Sequence, residues 1–252
     1  MIDHVVTGYE AEFDFPLREP APERPYLFAS VPRSGSTFVS HLLWATGCLG
    51  APLEYLNFEP AGPYGQAHGS PEAQSAIWRS VLQRRTSPNG VFGLKAFPMQ
   101  LEWLNEANPM LVGQVMRTLF PRGRPLRMVQ LRRRDATAHA ISYARALLSG
   151  IWRKEQEPAN RPEPAYSSAA VEHGARLIAE QEAAWAAMCR DLRVDPLVIW
   201  YEDALAEPER TIASVAAYLG VALDPAAAIA VPAIERQSQA GARDWADRHA
   251  GR

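Results

Sequence analysis

Four short apolar runs, at residues 26–31, 91–97, 126–131 and 197–201, predict buried β-strands. Segments with apolar positions at helical spacing follow them, at residues 38–47, 71–85, 101–105, 110–119, 136–149, 169–190 and 210–219. Strands that alternate with helices favour a parallel sheet covered by helices on both faces. The pattern therefore predicts an α/β fold.

The chain has 252 residues, of which 47% are hydrophobic, so it is long enough to build a sizeable core. We expect one domain over residues 1–252, because the sequence contains neither an internal repeat nor an interdomain linker. Residues 1–24 are polar and aperiodic and predict a surface arm. Residues 57–70 and 155–168 are rich in proline or glycine and predict two loop insertions, the first a candidate lid.

The net charge of −2 gives no reason to expect bulk nucleic-acid binding, so any anion site must come from a local cluster of basic residues. No apolar run approaches the length of a membrane span, and we expect a cytoplasmic protein. Cys48 and Cys189 lie in apolar helical patterns and predict buried free thiols. No His/Cys cluster has metal-ligand spacing, so we expect no metal.

An anion loop, residues 32–37, connects the first predicted strand to the first predicted helix. It contains Arg33, Ser34, Gly35, Ser36 and Thr37. A glycine-containing turn at a helix start directs backbone N–H groups and the positive end of the helix dipole at one point, which is typical of a phosphate site. A Ser/Thr helix cap without a ligand is the alternative. The loop lacks the Walker A pattern, which disfavours Mg-nucleotide binding.

A second basic cluster, residues 132–134, follows the third predicted strand, and Ser142 lies eight residues after Arg134. A run of charges is usually a solvated surface. However, ligands of open α/β sheets bind at the carboxyl ends of the strands, and arginine pairs with phosphate through two hydrogen bonds. Two anion sites in one crevice suggest a 3′,5′-bisphosphorylated nucleotide.

The anion loop, Arg134 with Ser142, and residues 200–205 resemble, in this order, the pattern of sulfotransferases, and above all the bacterial Stf0 family. Residues 45–47, 52–55, 131–135 and 236–237 are also similar to that family, so the resemblance covers roughly residues 26–245. It implies a P-loop-type three-layer sandwich with a central, mainly parallel sheet flanked by helices. It also implies transfer of a sulfuryl group from 3′-phosphoadenosine 5′-phosphosulfate (PAPS) to an acceptor hydroxyl.

The resemblance assigns roles to individual residues. The anion loop would bind the 5′-phosphosulfate, and Arg134 with Ser142 would bind the 3′-phosphate. Tyr201 would lie near the adenine, and Arg236 with Gln237 would close over the nucleotide. The acceptor would be a sugar, a glycolipid or another small molecule with a hydroxyl, and the related enzymes suggest a homodimer.

Sulfuryl transfer needs a base for the acceptor hydroxyl and positive charge at the sulfuryl group. The position of Glu54 resembles that of the catalytic glutamate of the Stf0 family, although composition alone would favour a surface residue. The alternative bases are His68, as second choice, then His139 and His41.

Lys95 ends the second predicted strand and is expected, with Arg33, to neutralise charge on the sulfuryl oxygens. An exposed lysine at the sheet edge is the alternative. Trp152, beside the second loop insertion, is the candidate for stacking on the acceptor.

Two other functions stay open. A P-loop kinase or nucleotide hydrolase would need a lysine in the anion loop and an acidic Mg²⁺ ligand at a strand end, and the sequence has neither in the expected place. A non-catalytic nucleotide-binding protein would bind the bisphosphate without turnover, and Glu54 would then be dispensable.

Overall fold

The computed structural model describes residues 7–152, 162–234 and 239–251. Within them the strands are β1 (Arg24–Ala29), β2 (Val91–Ala96), β3 (Met128–Arg132) and β4 (Leu197–Trp200). They form one sheet in the order β2-β1-β3-β4. Every pairing is parallel, which is the arrangement that the alternating pattern predicted.

The register brings the carboxyl ends of the strands to one edge of the sheet. Ala29, at the end of β1, pairs with Ala96 of β2 and with Gln130 of β3, and Arg132 pairs with Trp200 at the end of β4. The loops that follow the strands therefore meet at this edge, where ligands of parallel sheets bind.

The helices of the described ranges cover the sheet. They are α1 (Ser36–Ala45), α2 (Pro71–Arg84), α3 (Pro98–Ala107), α4 (Pro109–Leu119), α5 (Ala136–Ser149), α6 (Ser168–Leu192), α7 (Tyr201–Ala206), α8 (Pro208–Leu219) and α9 (Gln239–Ala250). Prolines begin α2, α3, α4 and α8, where the missing N–H has no intrahelical partner in any case.

Two hydrophobic cores lie on opposite faces of the sheet, because successive side chains of a strand point to opposite sides. Leu27 and Ala29 of β1 belong to one core, together with Trp78 of α2. Tyr26 and Phe28 belong to the other. The fold class is therefore confirmed: helices cover both faces of a parallel sheet in three layers.

Two helices differ from the sequence prediction. Residue 201 was expected to end the fourth strand, but it begins α7 instead. The predicted helices ended at residue 219, but the polar tail of the chain contains α9. Trp245 of α9 is fully buried, and its Nε1 donates to the Pro164 carbonyl at 3.2 Å. Burial of this one large side chain anchors an otherwise polar helix.

The expected surface arm packs against the body of the protein in its described part. Phe15 is buried in the core. Arg85, also buried, donates to the Gly8 carbonyl at 2.9 Å and pairs with Asp14 at 3.0 Å. A buried guanidinium needs such partners, so it holds this segment in place. Residues 7–15 are therefore attached to the body of the protein, with positions 8 and 15 buried, and the surface arm over residues 1–24 stays a prediction.

The two loop insertions differ in how much of them the structure describes. Residues 57–70 contain turns and the short 3₁₀-helix Gly65–Ala67, and the Phe58 and Ala67 side chains are buried. Of residues 155–168, positions 155–161 lie outside the described ranges. Cys48 is buried and Cys189 half-buried, and both are free thiols. In the described ranges, no helix is long and apolar enough to cross a membrane.

Candidate active site

The anion loop turns sharply between β1 and α1 at the carboxyl edge of the sheet. Arg33 has φ 68° and Gly35 has φ 88°, both in the left-handed region. Gly35 is the residue before α1 and supplies no side chain to cap the helix. The first N–H groups of α1 are thus available to a ligand, which argues against the alternative of a simple Ser/Thr cap.

Position 35 requires a glycine for two reasons: its φ is positive, and the ring of Tyr201 lies against it. A Cβ atom at Gly35 would lie 2.2 Å from Cδ2 of Tyr201. The ring of Tyr201, at the first position of α7, therefore packs directly on the anion loop. The structure brings together two residues that lie 166 positions apart and that the resemblance assigned to one nucleotide site.

The hydroxyl groups of the anion loop have different surroundings. Ser34 is fully buried, and its Oγ has no hydrogen-bond partner among the described residues. Ser36 is buried at the start of α1, and Thr37 is exposed. A buried hydroxyl without a partner costs free energy unless a ligand or water binds it. Ser34 therefore fits a loop that takes up a polar ligand.

Lys95 connects the anion loop to Glu54. Its Nζ lies 2.9 Å from Oε1 of Glu54 and 3.3 Å from Oγ1 of Thr37. The Lys95 side chain is 2% exposed and that of Glu54 is 10% exposed. Lys95 is therefore a buried lysine between the anion loop and Glu54, and the alternative of an exposed edge lysine is wrong.

Three residues that the sequence analysis missed surround Glu54. Gln100 Nε2 donates to Oε2 of Glu54 at 3.2 Å, and Asn57 Nδ2 donates to the same oxygen at 3.5 Å. The hydroxyl of Tyr9 accepts from the backbone N–H of Glu54 at 3.0 Å. Both carboxylate oxygens thus receive hydrogen bonds, which favours the ionised form of Glu54.

The position of Gln100 carried a signal that could have revealed part of this arrangement. Gln100 is the third residue of α3, and its Oε1 accepts from the N–H of Phe97 at 3.3 Å. A glutamine at the third position after a helix start is typical of a cap. Because Oε1 is used in the cap, the amide group points its Nε2 at Glu54. The contacts of Tyr9 and Asn57 depend on chain packing and had no such signal.

The Arg33 side chain points from the anion loop toward the end of α5. Its Nε donates to Oγ of Ser142 at 3.1 Å, and its Nη1 donates to the carbonyl of Trp152. The Trp152 ring is partly exposed and meets Tyr143 edge-on, with 5.8 Å between the ring centroids. The structure therefore brings Arg33, Ser142 and Trp152 together beside the anion loop.

Two residues of the arginine run, residues 132–134, have carboxylate partners. Arg132 Nε lies 2.9 Å from Oε2 of Glu182. Arg134 pairs through both Nη atoms with Asp203, and its guanidinium stacks 4.9 Å from the Trp200 ring centroid. Arg134 thus lies at an exposed ion pair rather than against the anion loop.

The candidate histidine bases are used in structural contacts. His139 is buried, and its Nε2 lies 2.9 Å from the Pro32 carbonyl oxygen. Burial lowers the pKa of His139 to about 4, against the opposing effect of that hydrogen bond. A ring nitrogen of His68 bonds the Phe58 carbonyl, and one of His41 bonds the Pro232 carbonyl. Glu54 is better placed than any of the three, because it touches Lys95.

The two tail residues predicted to close over the nucleotide, Arg236 and Gln237, lie outside the described residues. Five of the other predicted site residues are in contact in two groups at the carboxyl edge of the sheet. Glu54, Lys95 and Thr37 are in contact on one side of the anion loop, and Arg33 and Ser142 are in contact on the other.

Comparison with known proteins identifies sulfotransferases as relatives of this chain. The Stf0 sulphotransferase family model matches residues 25–251. Trehalose 2-sulfotransferase of Mycobacterium tuberculosis (strain ATCC 35801 / TMC 107 / Erdman) is 29% identical over 254 residues, covering 90% of this chain and 94% of that protein. Trehalose 2-sulfotransferase of Mycolicibacterium smegmatis is 26% identical, covering 89% of this chain and 93% of that protein.

Among solved structures, the sulfotransferase domain from the curacin biosynthetic pathway matches with a TM-score of 0.48 and 15% identity, covering 83% of this chain and 77% of that domain. The family model, in contrast, spans the anion loop, Glu54, Lys95, the arginine run and α9 in one continuous match. The chain therefore belongs to the Stf0 sulfotransferase family.

Proposed function

We propose that this sulfotransferase moves a sulfuryl group from PAPS to a hydroxyl of a carbohydrate or another small-molecule acceptor. The single observation that carries this proposal is the chain of contacts from Thr37 of the anion loop through Lys95 to Glu54. In this chain of contacts the buried Lys95 cation touches both the anion site, through Thr37, and the carboxylate base, Glu54. Sulfuryl transfer to a hydroxyl needs these three groups.

The residues of the anion loop fit a phosphosulfate group. The uncapped start of α1 offers backbone N–H groups, and the buried Ser34 hydroxyl lacks a partner among the described residues. Gly35 carries no side chain, so the Tyr201 ring packs directly on the loop. When bound there, PAPS supplies the sulfuryl group and leaves as adenosine 3′,5′-bisphosphate.

Glu54 takes the proton of the acceptor hydroxyl, while the new O–S bond forms and the S–O bond to the leaving phosphate breaks. Gln100 and Asn57 keep the carboxylate in one orientation through its Oε2 atom. Lys95 lies between Glu54 and the anion loop, so its charge stabilises the negative charge on the transferred group.

The remaining roles follow from position. Arg33 neutralises charge beside the loop, and Ser142, its hydrogen-bond partner, contributes a donor to the 3′-phosphate. Tyr201, packed on Gly35, offers a ring surface to the adenine. The role of Arg134 at the 3′-phosphate stays a prediction, as do the closing roles of Arg236 and Gln237.

The acceptor side of the site is polar next to Glu54 and aromatic next to Trp152. Tyr9, Asn57 and Gln100 surround the base, and Trp152 lies partly exposed near α5. Sugars bind such combinations of amide groups and aromatic rings. Two relatives are trehalose 2-sulfotransferases, so trehalose is the first acceptor to test. A glycolipid acceptor, a homodimer and a cytoplasmic location stay predictions.

A donor comparison tests the proposed function. Transfer of ³⁵S from labelled PAPS to trehalose and a panel of mono- and oligosaccharides is measured next to phosphate transfer from ATP with Mg²⁺. We expect a sulfated sugar and no phosphorylated product. Hydrolysis or transfer from ATP would favour a kinase or hydrolase, and tight bisphosphate binding without transfer to any acceptor would favour a non-catalytic binding protein.

A further inference from the structure

The N-terminal segment, residues 7–15, lies outside the stretch that the Stf0 family model matches, which begins at residue 25. It nevertheless reaches the candidate base, because the hydroxyl of Tyr9 accepts a hydrogen bond from the backbone N–H of Glu54 at 3.0 Å. The surroundings of the base therefore include a residue that the matched region does not contain.

The peptide group between Leu53 and Glu54 is held from two sides. Its oxygen, the carbonyl of Leu53, accepts from the backbone N–H of Lys95 at 3.1 Å, and its N–H donates to Tyr9 at 3.0 Å. A peptide group is planar and turns as one unit, so its orientation decides the direction in which the Glu54 side chain leaves the backbone. Strand β2 and Tyr9 together therefore direct the carboxylate at Lys95 and Gln100.

The ring of Tyr9 is itself fixed by two other tyrosines. It meets Tyr55 and Tyr64 edge-on, with 6.2 Å and 5.6 Å between the ring centroids. Edge-on packing is a geometry that aromatic pairs favour. Tyr55 directly follows Glu54 and is fully buried, so Tyr9 is held against the same stretch of backbone that carries the base.

Arg85, the residue after α2, fixes the backbone on both sides of Tyr9. Its guanidinium donates to the carbonyls of Gly8 at 2.9 Å and of Glu10 at 3.0 Å, and it pairs with Asp14 at 3.0 Å. The Arg85 side chain is 3% exposed. A guanidinium buried to this extent needs all of these partners, so its contacts determine where Tyr9 meets Glu54.

We propose that Tyr9 is a positioning residue for the base Glu54, and that Arg85 acts on the reaction through Tyr9. The inference rests on the proposed function and adds the N-terminal segment to the active site. Without the Tyr9 hydroxyl, the N–H of Glu54 loses this acceptor and the peptide group turns toward another. The carboxylate then leaves the orientation in which Lys95 and Gln100 hold it, and transfer of the acceptor proton slows.

Steady-state kinetics of sulfuryl transfer from PAPS test the role of Tyr9. Tyr9→Phe removes the hydroxyl and keeps the ring. Tyr64→Phe is the matched control, because it removes the same group from the neighbouring ring, for which the described ranges show no hydrogen bond to Glu54. For Tyr9→Phe we expect kcat to fall about tenfold, while KM for both substrates stays within about threefold.

Three further readouts separate positioning from a merely structural role. Affinity of Tyr9→Phe for adenosine 3′,5′-bisphosphate, measured by calorimetry, should stay within about twofold of that of the unmodified protein. Tyr64→Phe should keep kcat within about twofold. Both variants should melt within about 4 °C of the unmodified protein, since each lacks only one hydroxyl. A structural role would lower the melting temperature and leave kcat unchanged in the folded protein.

A double-variant cycle tests whether Arg85 acts through Tyr9. Arg85→Lys keeps the charge but loses the planar group that donates to several carbonyls at once. We expect it to lower kcat severalfold in the unmodified protein and to have little further effect in Tyr9→Phe. A fall of equal size in both backgrounds would overturn the role of Arg85. If thermal melts show that Arg85→Lys does not fold, Asp14→Asn, which removes the ion pair of Arg85, takes its place.

The outcomes also separate the inference from the proposed function. If the unmodified protein transfers no sulfuryl group from PAPS to any acceptor, both fail. If it does, and Tyr9→Phe keeps kcat within about twofold, the inference is overturned and the proposed function stands. The same holds if Tyr64→Phe lowers kcat as much as Tyr9→Phe does, because the effect would then not depend on the hydrogen bond to Glu54.

Discussion

The Nζ atom of Lys95 lies 2.9 Å from Oε1 of Glu54, and both side chains are almost completely buried. Lys95 comes from the end of β2, and Glu54 precedes that strand by 37 positions. An isolated bridge between Leu53 and Leu94, the residues just before the two, holds their backbones side by side. The fold therefore forms this ion pair as a direct extension of the sheet.

Loss of Lys95 is expected to reduce both stability and activity. In Lys95→Met, Glu54 stays buried without its counter-charge, so we expect a loss of about 3 kcal/mol in the free energy of unfolding, measured with urea. Because the cation beside the anion loop is also gone, we expect turnover to fall at least about a hundredfold. The double variant Glu54→Gln/Lys95→Met should lose less free energy of unfolding than the two single variants lose together. Strict additivity would mean that the two side chains do not interact.

Gln100 is predicted to act as a positioning residue for Glu54. Gln100→Glu keeps the oxygen that caps α3 but replaces the Nε2 donor with a second carboxylate oxygen. Repulsion disfavours the ionised form of Glu54, so we expect kcat to fall roughly tenfold and the acid limb of the pH–rate profile to move to higher pH. A purely structural role would lower the melting temperature and leave the profile in place.

Gly35 is predicted to be indispensable because of Tyr201. In Gly35→Ala the new Cβ would lie 2.2 Å from the ring. Gly220→Ala is the matched control, since Gly220 also has a positive φ but has no atom within 4 Å of such a Cβ. Both variants carry the backbone strain of about 1 kcal/mol, and only the first should lose bisphosphate binding in calorimetry. Retained affinity in Gly35→Ala would show that Tyr201 does not shape the donor site.

His139 is predicted to make stability depend on pH. Its pKa is about 4 in the folded protein against an ordinary 6.5, so the unfolded chain takes up a proton first and stability falls as pH drops through this interval. Between pH 7 and pH 5 this difference is worth about 2 kcal/mol. Glutamine at position 139 cannot take up that proton. Between pH 7 and pH 5, His139→Gln should therefore lose about 2 kcal/mol less of its free energy of unfolding than the unmodified protein. If urea unfolding showed the same loss of stability with falling pH for both proteins, His139 would not be the source of the pH dependence.

The sequence pattern predicted the sheet well because β1, β2 and β3 are buried on both faces over most of their length, and such strands are continuous apolar runs. It also located the anion loop, because the residues of this loop are consecutive in the sequence and form one recognisable motif. It did not predict α9, because that helix depends on the burial of Trp245 in contacts with distant residues. The partners of the arginine run were equally hidden. Glu182 and Asp203 lie about 50 to 70 positions away in the sequence.

The most direct test of the central claim is turnover of Glu54→Gln with PAPS and the best acceptor, measured together with calorimetric binding of adenosine 3′,5′-bisphosphate. If Glu54 is the base, turnover falls by at least about a thousandfold while affinity for the bisphosphate changes less than threefold. Turnover close to that of the unmodified enzyme would contradict the account, and the base would then have to be sought elsewhere in the crevice.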